Sequence, residues 1–121
     1  YIAPPLLISC HVAERNGLPV GFQTLVWPDD EGDPFPDGWA IIASFVSPEA
    51  SGRSIGRKLF EATRSVARKA GVRVIDATIR SDNSLGLAYY DAMGFEDYDV
   101  LHAVPLRDGT RVDRIRKRFD L

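Results

Sequence analysis

The stretch Phe45–Lys58, FVSPEASGRSIGRK, gathers the residue types that hold an anion. An apolar, strand-like run gives way to Ser47-Pro48-Glu49-Ala50-Ser51-Gly52-Arg53-Ser54-Ile55-Gly56, and an amphipathic run follows. A strand feeding a small-residue turn and then a helix brings several backbone N–H groups to one point. The helix start adds roughly half a positive charge there. Gly52, Ser54 and Gly56 carry little or no side chain, so an anion can approach the backbone closely. Arg53, Arg57 and Lys58 fall in or near the first turn, where the helix dipole disfavours cations. Three bases at that end imply a compensating anion, with phosphate the natural candidate. The competing reading is a solvated basic face, since Arg64, Arg68 and Lys69 continue the run. The pattern is not the nucleoside-triphosphate loop, because no lysine-serine or lysine-threonine pair follows the glycines. Nor is it the dinucleotide fingerprint, which needs a third glycine.

Other candidate chemistry is sparse. Cys10 is the single cysteine, so an intrachain disulfide and a cysteine zinc site are excluded. It lies on an apolar run and reads as a small buried hydrophobe. Two histidines, His11 and His102, are too few for a histidine-rich metal site, and no metal is expected. Glu14, His11 and Asp76 fall on strand-like segments, and none stands out as a general base. The segment Pro28–Gly38 holds five acids (Asp29, Asp30, Glu31, Asp33, Asp37) and no base, which reads as a solvated loop, although it could steer a cationic amine. The tail Arg107–Arg118 carries five arginines and one lysine interrupted by Asp108 and Asp113, as an exposed strand face would.

The elements that must position this chemistry follow from pattern and punctuation. Leu6–Glu14 and Val20–Trp27 read as strands joined by Asn16-Gly17, a dipeptide suited to a tight turn. Trp39–Val46 is nearly all apolar and reads as a strand covered on both faces. From Ser54 to Ala70 the pattern is helical, with Ile55, Leu59, Ala62 and Val66 forming one stripe and Gly71 at the C-terminal cap. Val72–Ile79 reads as a strand, and Asp82 or Asn83 caps a short helix, Ser84–Met93, that ends at Gly94. Asp108-Gly109 marks a second hairpin in the tail Tyr98–Phe119, although Val112, Ile115 and Phe119 also match helical spacing. The order is β-β-β-α-β-α-β-β, a mixed, partly antiparallel α/β domain.

Composition sets the frame. A chain of 121 residues fits one domain, residues 1–121. Apolar residues make up 45% and charged residues 26%, an ordinary soluble balance. No apolar run approaches the ~20 residues a membrane helix needs, so no membrane association is expected. No secretory leader is seen, and a reducing, cytoplasmic setting is expected. The net charge of −2 and a pI of about 5.6 argue against nucleic-acid binding. The chain opens on Tyr1 rather than methionine, so a processed or shortened N-terminus is one expectation.

Three separated phrases resemble the GCN5-related N-acetyltransferase (GNAT) superfamily and cover roughly residues 6–119. The family's acetyl-CoA loop, Gln/Arg-x-x-Gly-x-Gly/Ala, aligns with Ser51-Gly52-Arg53-Ser54-Ile55-Gly56, with Ser51 replacing the Gln/Arg and Ser54 the first glycine. Asn83–Phe95, NSLGLAYYDAMGF, resembles its second hallmark: an asparagine, a tyrosine seven residues on, then Gly-Phe. Asn16–Phe22 resembles its early hairpin. The resemblance implies a GNAT-like mixed α/β sheet without the usual N-terminal strand and helices. It implies acetyl-CoA as co-substrate and direct acetyl transfer to a primary amine, on a small molecule or peptide, in a ternary complex. Backbone groups of Phe45 and Val46 would pair with the pantetheine arm. Ser51, Gly52, Arg53, Ser54, Ile55, Gly56 and Arg57 would hold the pyrophosphate, and Asn83 the cofactor arm. Tyr90 would protonate the departing thiolate, as a phenol still protonated at neutral pH can, with Tyr89 as the fallback. One alternative is a non-catalytic acyl-CoA-binding module, and another is an unrelated binder of a phosphate ligand. A missing N-terminal layer would expose apolar sheet surface and favour a homodimer.

Overall fold

The computed structural model describes residues 6–29, 35–48 and 54–121. Among them run β1 (Leu7–Arg15), β2 (Leu18–Val26), β3 (Trp39–Val46), α1 (Ile55–Lys69), β4 (Val74–Arg80), α2 (Ser84–Met93), β5 (Glu96–Pro105) and β6 (Arg111–Asp120). This is the expected order in a mixed α/β fold. The chain divides into two compact units, Tyr1–Ile75 with Leu121, and Asp76–Asp120.

In the first unit β1 pairs antiparallel with β2, and β2 with β3. Asn16 and Gly17 both take positive φ, 53° and 78°, which gives the tight turn the right-handed twist of its flanking strands. One face of this sheet carries Gly21, Gln23 and Leu25 of β2 with Ala40 and Ile42 of β3, all buried. Helix α1 covers that face through Leu59, Phe60, Thr63 and Ala67. The buried stripe is therefore turned from the expected Ile55, Leu59, Ala62 and Val66, because Phe60 offers the larger apolar surface and Thr63 and Ala67 are small enough for close approach. Helix α1 ends as expected: Gly71 at φ 84° lets its N–H reach Arg68 O at 3.2 Å and lets Val72 N–H reach Ala67 O at 3.0 Å.

Two expectations for this unit fail. Strand β3 is covered on one face only, and Phe45 on the other is 52% exposed. Its continuous apolar run reads like a doubly buried strand, yet the outward positions of Val12, Phe22 and Phe45 are all exposed large hydrophobics. Cys10, in register with Thr24, lies on that outward face and is exposed rather than buried.

In the second unit the strand order is β4-β6-β5. Asn83, not Asp82, caps α2, its side-chain oxygen accepting from Gly86 N–H at 3.0 Å. Gly94 at φ 100° closes the helix, with Gly94 N–H on Asp91 O and Phe95 N–H on Tyr90 O. The tail is a hairpin: Val100 faces Ile115, Val104 faces Val112, and Gly109 turns the chain at φ 89°. Pairing with β5 satisfies the β6 backbone along its length, and this decides against the helical spacing of Val112, Ile115 and Phe119.

Gly21 sets the spacing of the first unit. A Cβ there would fall 2.9 Å from Phe45 O and 3.4 Å from Leu59 Cδ1. Gly21→Ala is expected to destabilise the chain by about 1–3 kcal/mol, since the backbone carbonyl cannot step aside. A urea melt of the two proteins checks this, and equal midpoints would refute it.

Candidate functional site

In the first unit, β3 ends at Val46, and Ser47 N–H closes its pairing by donating to Val20 O at 2.7 Å. Phe45 stacks on Phe22 with ring centroids 5.9 Å apart on the outward face. Ser51, Gly52 and Arg53 lie outside the described residues. Ser54 adopts the left-handed conformation at φ 65° and makes no side-chain cap hydrogen bond. A non-glycine residue there costs roughly 1–2 kcal/mol. Lys58 N–H bonds Ser54 O at 3.0 Å, so by helix geometry the amides of Ile55 and Arg57 point out of the first turn. The first turn holds no acid, and Arg57 and Lys58 are exposed. Among the described residues, then, this helix start has no side-chain cap from Ser54 and no acid in its first turn, and it carries two cations. Ser54, expected from the resemblance to stand in for a glycine, takes a backbone conformation that glycine favours.

The second unit holds Asn83 and Tyr90. Asn83 commits its side-chain oxygen to the helix cap, and its amide N–H groups remain as side-chain donors. Tyr90 lies two turns on, about 10 Å along the axis by helix rise. It is 5% exposed, with its ring edge-on to Tyr89 and to Phe95 at 5.0 Å each, and Phe95 in turn meets Phe119 at 5.4 Å. Tyr89 is half-buried, so the two adjacent phenols differ in exposure as helical spacing requires.

The sequence does not announce the polar centre of this unit. Asp76 on β4 is 1% exposed. Tyr98 Oη donates to its Oδ1 at 2.5 Å and Thr78 Oγ1 to its Oδ2 at 2.8 Å. Arg116 Nε stands 3.9 Å from Asp76 and donates to Thr78 Oγ1 at 3.4 Å. Burial pushes the Asp76 carboxyl above its ordinary range, against the opposing pull of Tyr98, Thr78 and Arg116. Burial, and then the bond to Asp76, push the Tyr98 phenol up as well. The one signal for this cluster was the pair of polar residues alternating within VIDATIR. Of the other base candidates, Glu14 is exposed, and His11 is half-buried with its Nδ1 buried and lacking a hydrogen-bond partner among the described residues. No group of three or more His, Cys, Asp or Glu among the described residues could hold a metal ion, and no described helix is long and apolar enough to cross a membrane.

Comparison with known proteins meets this geometry. The Acetyltransferase (GNAT) family matches residues 2–95. A mycothiol acetyltransferase of Sanguibacter keddieii is 36% identical over 84 residues, 69% of this chain and 27% of that protein. A ribosomal-protein-alanine N-acetyltransferase from Brucella melitensis superposes with a TM-score of 0.78 at 28% identity, over 93% of this chain and 68% of that one. A Salmonella typhimurium acetyltransferase, solved with its cofactor acetyl-CoA, gives a TM-score of 0.75 at 25% identity, over 93% and 64%. The chain spans 27% to 60% of the length of the curated relatives it matches.

The Asp76 network carries a pH-dependent prediction. The folded chain holds the Asp76 proton more tightly than the unfolded chain, whose value is near 3.8, so the stability this group contributes is complete below that pH and is lost as pH rises through the higher folded value. Tyr98→Phe removes a donor to the ionised carboxylate and should cost about 1.5–3 kcal/mol where Asp76 is charged, and less where it is protonated. Urea melts at neutral pH and near pH 3 check this. A loss that does not grow with pH would contradict it.

Proposed function

The chain belongs to the GNAT acetyltransferase family, and on that premise we propose that it binds acetyl-CoA and transfers the acetyl group to a primary amine by direct attack in a ternary complex. The observation that carries this reading is the start of α1. There, among the described residues, a left-handed Ser54 without a side-chain cap bond, a first turn without an acid and two exposed cations favour an anion at the positive end of the helix.

Backbone amides of Ile55 and Arg57 hold the pyrophosphate, with Arg57 and Lys58 adding long-range attraction. Gly56 has no side chain to obstruct the approach. Backbone groups of Phe45 and Val46 bond the pantetheine arm at the end of β3, and by the family motif the Asn83 amide is a donor to the cofactor. Ser51, Gly52 and Arg53 complete the loop by the family motif. Acetyl-CoA supplies an activated thioester. Tyr90 gives its phenolic proton to the leaving sulfur, a transfer favoured because a thiolate takes a proton readily from a positioned donor. The aromatic packing of Tyr89 and Phe95 holds the Tyr90 ring in place. The acceptor is a small-molecule or peptide amine: the relatives are named for mycothiol, ribosomal-protein alanine and L-methionine sulfoximine, which span both classes.

Thermal unfolding with acetyl-CoA, CoA and ATP tests the cofactor. Ligand at ~100 times its dissociation constant stabilises by about 2.7 kcal/mol, a shift of several degrees at this size. A shift with both CoA species and none with ATP is expected, and no shift with either CoA species overturns the reading. Ser54→Val places a β-branched residue in the left-handed region and should weaken acetyl-CoA binding by about tenfold through a strain of 1–2 kcal/mol or so. Tyr90→Phe should slow turnover by about 100-fold or more while retaining the acetyl-CoA shift, with Tyr89→Phe close to the parent. Binding without turnover of any amine by the parent chain would mark an acyl-CoA-binding module instead.

A further inference from the structure

Lys117 is a lysine where a β-strand would ordinarily bury an apolar side chain. Its side chain is 3% exposed on β6. The ammonium lies 2.6 Å from Asp91 Oδ1 and also bonds Asp97 Oδ1. Asp91 follows Tyr90 in the last turn of α2, while Asp97 faces Lys117 across the β5–β6 ladder. One cation therefore ties the end of α2 to the strand pair beneath it. Both carboxylates are exposed, at 60% and 62%, so the cost of burial falls on the ammonium alone. Removing an ammonium from water costs several kcal/mol, and an apolar residue of similar volume commonly fills such a place at least as stably. Attachment of the helix by itself does not call for a lysine. What a lysine adds over an apolar contact is direction, because the ammonium fixes where Asp91, and with it the adjoining Tyr90, stands.

The surroundings of Tyr90 fit this role. Its carbonyl accepts Phe95 N–H at 3.0 Å, and Phe95 and Tyr89 meet its ring edge-on. These contacts set the tilt of the ring. The Lys117–Asp91 bond sets the height and rotation of the turn that carries it. The two carboxylates raise the Lys117 pKa despite the opposing effect of burial, which is the largest influence on it, so the tie stays charged through the neutral range.

We propose that Lys117 is a positioning residue for Tyr90, acting through Asp91 and Asp97. The inference rests on the proton-donor reading of Tyr90. The test uses the whole chain, acetyl-CoA, and the fastest amine from a panel of amino acids, polyamines and lysyl peptides. Lys117→Met should keep the acetyl-CoA thermal shift and KM for acetyl-CoA but lower kcat about 10- to 100-fold, the scale of a misplaced catalytic group. Asp91→Asn, which leaves Asp97 as partner, should give a smaller loss in the same parameter and serves if Lys117→Met fails to fold. On a Tyr90→Phe background either change should cost nothing further in kcat. Full kcat in both variants, or a loss as large on the Tyr90→Phe background as on the parent, overturns the positioning role while leaving the acetyltransferase reading intact. Normal turnover by Tyr90→Phe itself, or no turnover by the parent chain, overturns the proton-donor reading and the inference with it.

Discussion

A helix start with no side-chain cap and no first-turn acid among the described residues is the constraint on which the first unit turns. Most helices answer their N-terminus with a capping side chain or an acid in the first turn. Helix α1 has neither among the described residues, and it begins from a left-handed serine. Backbone strain of this kind persists where the surroundings hold it in place, and it gathers at ligand sites. The sheet supplies the hold. Gly21 lets Leu59 and the Phe45 carbonyl come close, which docks α1 on β2 immediately beyond the end of β3.

The second unit solves a different problem. It buries two charged residues, Asp76 and Lys117, and satisfies each from neighbouring elements. Asp76 receives two hydroxyl donors and a nearby guanidinium, while Lys117 receives two carboxylates. Such arrangements contribute less to stability than to definition of geometry, because desolvation offsets most of the Coulombic gain. Each ties separate elements: Asp76 on β4 to Tyr98 on β5 and Arg116 on β6, and Lys117 on β6 to Asp91 at the end of α2. The unit that carries Tyr90 is thus pinned by directional contacts as well as by the aromatic packing of Phe95 and Phe119.

What could be read in advance was local. Asn16-Gly17 and Asp108-Gly109 specify hairpins, and Gly71 and Gly94 specify helix ends, because positive φ excludes most other residues. Asn83 specifies a cap because its short amide reaches the third amide of its own helix. The family phrases around Gly56 and Tyr90 were likewise legible, being short motifs whose residues lie close together in the chain. The continuous apolar run of β3 misled, since its pattern cannot state whether a second layer lies over it. Cys10 misled for the same reason, being placed on a strand but not on a face.

The sequence by itself determined the order of elements, their turns and caps, and the motif positions, because each depends on backbone preferences within a few residues. The tertiary structure alone decided which face of β1–β3 is covered, which residues of α1 meet the sheet, and where buried charges find partners. Tyr98 meets Asp76 across 22 positions, and Lys117 meets Asp91 across 26. Those pairs exist only once the β5–β6 register and the docking of α2 are set, and a periodic pattern of residue types carries no record of which distant side chain will stand opposite.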